Sequence, residues 1–95
     1  MQNISNIDFE NIKRMKEIAK IYKITNQNSK CEKYHKIIID ICDKHPQDEK
    51  ALAEKIHSLN QIDNSYKSLK ATKELLSLNP YNIYGIKNLI DYINW

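Results

Sequence analysis

The chain predicts an all-α domain of about five helices, and three observations carry that prediction. Apolar residues recur at three- and four-residue spacings along most of its 95 residues, the period of a helix face rather than of a strand. Valine is absent and Gly85 is the single glycine, which leaves little from which to build strands or hairpin turns. Polar or proline-containing breaks separate the periodic stretches at regular intervals.

Each element follows from its own pattern. The first helix is expected over about Phe9 to Ile24, capped by Asp8, with Ile12, Met15, Ile18, Ala19 and Tyr22 on its inner face. The run Thr25 to Ser29 is polar and reads as a turn. Ser29 followed by Glu32 matches a capping box, opening a second helix with Cys31, Tyr34, Ile38, Ile41 and Cys42 inward, and Pro46 ends it. A third helix over about Asp48 to Asn60 carries Leu52, Ile56 and Leu59, and Asp63, Asn64 and Ser65 form the next turn. The fourth, about Tyr66 to Leu78, turns Leu69, Thr72, Leu75 and Leu76 inward before Asn79 and Pro80 stop it. The last helix starts near Ile83, with Ile86, Leu89, Ile90 and Ile93 predicted to face the domain.

Composition narrows the class. At this length one domain is expected, spanning residues 1–95. No run of roughly 18 apolar residues is present, and Met1 to Asp8 lacks the basic-then-apolar layout of a secretory signal, so a cytoplasmic protein with no membrane contact is expected. Cys31 and Cys42 fall in one helix about 16 Å apart and cannot bridge each other within it. Basic charge is concentrated in residues 1–44, which hold nine basic and six acidic groups against six of each in residues 45–95. All but one of the basic residues are lysine, as an AT-rich coding sequence favours, so a lysine stripe carries less information than an arginine stripe would.

An internal spacing adds architecture. Pro46 and Pro80 lie 34 residues apart, and at that offset Ile18, Leu52 and Ile86 align, as do Tyr22, Ile56 and Ile90. On this period, and on the segment Leu75 to Asn82, the chain resembles the tetratricopeptide (TPR) repeat family. The resemblance implies two helix-turn-helix repeats, at about 15–48 and 49–82, and a terminal helix at 83–95. The family's signature residues are not reproduced: Ile18, Leu52 and Ile86 stand where it has an aromatic, and Tyr22, Ile56 and Ile90 where it has glycine. Its carboxylate clamp is also missing, with Ala19, Lys23 and Glu54 in place of the lysine and asparagines it needs.

Candidate chemistry points to binding rather than catalysis. A single glycine excludes a glycine-rich phosphate loop, and no nucleophile elbow, paired-carboxylate or metalloprotease pattern can be read. Cys31, His35, Cys42 and His45 share one helix, yet only two at a time lie close enough to share a metal and no zinc-finger spacing matches, so no metal or other cofactor is expected. The TPR resemblance implies a concave groove lined by Lys16, Ala19, Lys23, Lys50, Ala53 and His57 and, on the last helix, by Tyr84, Lys87, Asp91 and Trp95.

The leading expectation is a non-enzymatic helical-repeat adaptor or scaffold that holds an acidic or extended segment of a protein partner, as a small subunit of a larger assembly. The alternative is a ribosome- or RNA-particle-associated factor using the basic stripe Lys13, Arg14, Lys16, Lys20 and Lys23 for phosphate contacts. The last helix is expected to be apolar on two faces. Tyr84, Asn88, Tyr92 and Trp95 lie opposite the isoleucines and form the outer one, a surface for a partner or for self-association.

Overall fold

A computed structural model describes residues 7–94, which form five α-helices and, among the described residues, no strand. α1 spans Phe9–Ile24, α2 Asn28–Asp43, α3 Glu49–Gln61, α4 Ser65–Leu78 and α5 Ile83–Ile93. Trp95, an expected anchor on the last helix, lies outside the described residues.

Four of the helices start on a side chain that accepts an otherwise orphaned backbone N–H. Asp8 accepts from Asn11, Asp48 from Ala51, Asn64 from Lys67 and Asn82 from Gly85. The exception is α2, where Gln27 occupies the cap without a side-chain hydrogen bond. The expected Ser29–Glu32 box does not form there, because the helix begins at Asn28 and Ser29 is already inside its first turn. Two turns need a left-handed residue in a chain almost without glycine. Asn26 (φ 61°) and Asp63 (φ 57°) supply it, as the residue types that best tolerate this region after glycine.

Connections of three to five residues fold each helix back along the previous one, so close contacts run between consecutive helices. Polar contacts from α1 to α3 (Lys16 to Glu54) and from α3 to α5 (Asn60 to Asn88) place those three helices side by side, with α2 and α4 behind them. The result is a flat body of 42 × 37 × 18 Å. Apolar residues between the layers form two clusters. One joins Ile12 and Met15 to Ile38, Cys42 and Ala51, and the other joins Leu52, Ile56 and Leu59 to Ala71 and Leu75. Burying a leucine, isoleucine or methionine side chain fully is worth about 1.5–3 kcal/mol, so the residues of those types in the two clusters supply much of the driving force.

The helix spacing departs from the sequence reading in one respect. From the first pair to the second the offset is 37 residues: α1 ends at Ile24 and α3 at Gln61, α2 starts at Asn28 and α4 at Ser65, and the left-handed residues are Asn26 and Asp63. Only from α3 to α5 is it 34, with starts at Glu49 and Ile83 and caps at Asp48 and Asn82. The difference lies in α2, two residues longer than α4, and in the connection after it, one residue longer. Burial follows this register, pairing Met15 with Leu52, Ala19 with Ile56 and Ile38 with Leu75, all buried. Ile18, aligned with Leu52 by the proline offset, is instead exposed.

The last helix departs from the sequence reading in three of its four expected inward residues, Leu89 being the one that is half-buried. Gly85 is its buried residue, Asn88 and Leu89 are half-buried, and Ile86, Ile90 and Ile93 are exposed. Glycine explains the orientation. A Cβ on Gly85 would come within 2.9 Å of Leu76 Cδ2, so α5 reaches α4 most closely where it has no side chain. Asn88 then reaches α4 and donates to Thr72 Oγ1 at 2.7 Å, while its carbonyl accepts from Asn60 at 2.9 Å. A helix that fits its neighbour through a glycine and an asparagine leaves its largest apolar stripe outside.

Candidate functional site

The basic stripe of α1 is laid along a groove. Positions 13, 16, 20 and 23 fall on one helix face, and the packing of α1 on α2 turns that face toward α3. Lys13, Lys16, Lys20 and Lys23 line an open cavity of about 710 Å³. Its floor comes from Cys31 and His35 of α2 and from His57 and Gln61 of α3. Glu17 is the one carboxylate among its lining residues.

Two of the lysines are tied and two are not. Lys16 Nζ donates to Glu54 Oε1 at 3.0 Å, and Lys23 Nζ donates to the Gln61 carbonyl at 3.3 Å. Both contacts span α1 to α3 and set the groove's width. Lys13 and Lys20 make no ion pair among the described residues. Their ammonium groups, with that of Lys23, whose partner is a neutral amide, are the unpaired positive charge at the rim.

The floor is neutral. His35 is buried, with its Nδ1 3.0 Å from the Ser58 hydroxyl, and its ring stands 6.0 Å from that of His57. Burial pushes the His35 pKa down to about 4, helped by His57 and by the lysines at positions 23 and 16. His57 is also lowered, by burial first and then by Lys16, with Glu54 opposing. At neutral pH both rings are uncharged. The groove thus offers cations at the rim and an uncharged base of imidazole, thiol and lysine stem.

Of the expected binding residues, Lys16, Lys23 and His57 come together here, and so do the lysines of the alternative stripe. Arg14 is exposed and is not among the lining residues. Ala19 is wholly buried in the core, because it packs behind the lysine face rather than on it. Lys50 sits with its ammonium 4.4 Å from the Phe9 ring centroid, a cation–π contact at the start of α1, and does not line the groove. Tyr84 and Tyr92 are 37 and 46 % exposed, about as open as Ile86 and Ile90. The Tyr84 hydroxyl's pKa is raised, by burial first and then by the carboxylate of Glu54. Asn88 is engaged in the contacts to Thr72 and Asn60, and Lys87 is exposed. Of the expected stripe, Asn88 is turned toward α3 and α4, while both tyrosines stay exposed.

Sequence reasoning missed His35 and Gln61 as parts of the groove and Glu54 as the partner of Lys16. His35 was visible only as a weak metal ligand, and a signal was present in the 37-residue register, which sets it on Thr72, another buried polar residue. Both cysteines are free and buried, and burial pushes the Cys42 thiol up to about 12, away from thiolate chemistry. Among the described residues no group of three His, Cys, Asp or Glu side chains is placed to hold a metal ion, and no helix is long and apolar enough to cross a membrane.

No family model, curated protein or solved structure matches this chain.

Proposed function

We propose that the chain is a non-enzymatic helical-repeat module of the TPR kind whose α1–α3 groove holds an acidic, extended segment of a protein partner, as a small cytoplasmic subunit of a larger assembly. The observation that carries this reading is the convergence of four lysines on one open groove with a neutral floor. A rim of positive charge attracts a carboxylate-bearing chain. A floor of uncharged rings and aliphatic stems accepts its apolar side chains, which a phosphate backbone would not supply. The absence of arginine from the lining argues in the same direction, since bidentate phosphate recognition favours that residue.

The test is a fluorescence-anisotropy titration with two probes, an eight-residue peptide alternating Glu and Leu and a single-stranded RNA of eight nucleotides. Lys13 and Lys20 are reversed to Glu together, because neither holds an internal ion pair. The native chain should bind the peptide, and the double variant should bind it at least tenfold more weakly with an unchanged melting temperature. Tighter binding of the RNA, with an affinity that collapses between low and moderate salt, would assign the groove to a nucleic acid instead. Binding of neither probe would remove the groove from the function altogether.

A further inference from the structure

α5 repeats α3 in register but not in cover. Their caps Asp48 and Asn82 are 34 residues apart, each is followed three positions later by a buried small residue, Ala51 or Gly85, and the triad Leu52, Ile56, Leu59 recurs as Ile86, Ile90, Ile93. In α3 the triad is at most 3 % exposed, because Ala71 and Leu75 of α4 close over it. In α5 the same positions are 38, 49 and 69 % exposed. Ile83, one turn earlier, extends the ridge. α5 cannot roll this ridge inward, since its other side is committed to α4 through Gly85 and Asn88.

We infer that the Ile86–Ile90–Ile93 ridge is a docking site for an amphipathic helix of a partner protein, laid on α5 as α4 is laid on α3. The covering chemistry is given within the chain by α4: a small residue and, one turn on, a leucine, as in Ala71 and Leu75. The small residue lets the two helix axes approach, and the leucine fills the space between two isoleucines. Lys87 flanks the ridge and makes no ion pair among the described residues, so an acidic residue on the edge of the incoming helix complements it. This inference does not depend on what occupies the lysine groove.

The probe is α4 itself. Residues 62–80 appended directly after Trp95 present a copy of α4 in the register it holds behind α3, since Leu59 maps onto Ile93 and Ile62 onto the first added position. The extended chain should melt about 5 °C or more above the native chain. Ile90→Asp should abolish that gain in the extended chain while moving the native chain's melting point little, because Ile90 is already half in water. An extended chain that melts no higher, or a gain that survives Ile90→Asp, would overturn the inference. Sedimentation equilibrium of the native chain provides the other check: a monomer is expected, and a dimer that Ile90→Asp dissociates would give the ridge to a second copy and overturn the partner-helix assignment.

Discussion

α3 and α5 are nearly the same helix twice. Each starts on an Asx cap, puts a small residue against the helix behind it and carries three aliphatic residues at spacings of four and three. One has a helix on both sides and the other has a helix on one, and that alone separates a buried triad from an exposed ridge. Periodicity fixes which residues share a face. Which face is inside depends on what packs there, and α5 settles that through its smallest residue rather than its greasiest.

Aspartate substitutions at register-equivalent sites should give the largest contrast. Ile56 is fully buried, and an unpaired carboxylate there costs several kcal/mol against a total stability of about 5–10 kcal/mol. Ile56→Asp should therefore abolish the cooperative thermal transition followed by circular dichroism. Ile90→Asp, 34 residues on, should leave it in place. If both variants unfold, the ridge on α5 is covered in solution and the contrast between the two helices fails.

The polar contacts behind the two helices differ in their response to acid. α2 meets α3 through His35 and Ser58, whereas α4 meets α5 through Thr72 and Asn88, which do not titrate. Because the His35 pKa is depressed in the fold, the unfolded chain binds the extra proton as pH falls. Stability is then full above about 6.5 and declines as pH drops toward about 4, by on the order of 3 kcal/mol. Urea denaturation at pH 7 and pH 4.5 should record the loss, and His35→Gln, which keeps a donor toward Ser58 but cannot charge, should remove most of it. A pH-independent midpoint for the native chain would mean that His35 is not held neutral.

A smaller effect is expected at the α4–α5 contact. Asn88 joins Thr72, Ser68 and Asn60, and its loss leaves those groups facing one another without it. Asn88→Ala should cost about 1–3 kcal/mol. Hydrogen exchange should accelerate in α5 and hardly at all in α1 and α2. An even acceleration through all five helices would show that α5 is as integral as the rest.

How much of this was legible beforehand follows from where local rules suffice. α1 begins and ends where its cap and its polar turn place it, and the other helix boundaries shift by one or two residues, because Asx caps and prolines act within one turn of chain. The five-helix, all-α outcome was legible for the same reason. The lysine groove was half legible, since i, i+3 and i+4 arithmetic puts four lysines on one face but cannot show that His35 and His57 lie beneath them. The direction of α5 was not legible: the rule that the more apolar side turns inward assumes a neighbour for it, and Gly85 and Asn88 acted through an approach distance that no single-helix pattern contains. The 37-residue register was hidden by Pro46 and Pro80, whose spacing of 34 reflects the longer α2 and its connection.

The finest probe of the comparison is the small residue itself, Ala51 in α3 and glycine at position 85 in α5. Gly85→Ala makes the two helices alike at that site and sets two effects of similar size against each other. Alanine favours the helix by about 1 kcal/mol over glycine. Its Cβ would meet Leu76 Cδ2 at 2.9 Å and both Leu75 Cδ2 and Leu76 Cγ at 3.2 Å. Leu76 is half-buried and can swing its methyl aside, but Leu75 is wholly buried in the core and has to be displaced by a few tenths of an ångström. Overpacking of this kind costs roughly 1–3 kcal/mol, so the crowding outweighs the propensity by a small margin. The melting temperature of Gly85→Ala should fall by no more than about 5 °C, with faster amide exchange confined to α5. A rise instead would mean that α4 and α5 have slack at their closest point, and the glycine would no longer explain why the isoleucines face out.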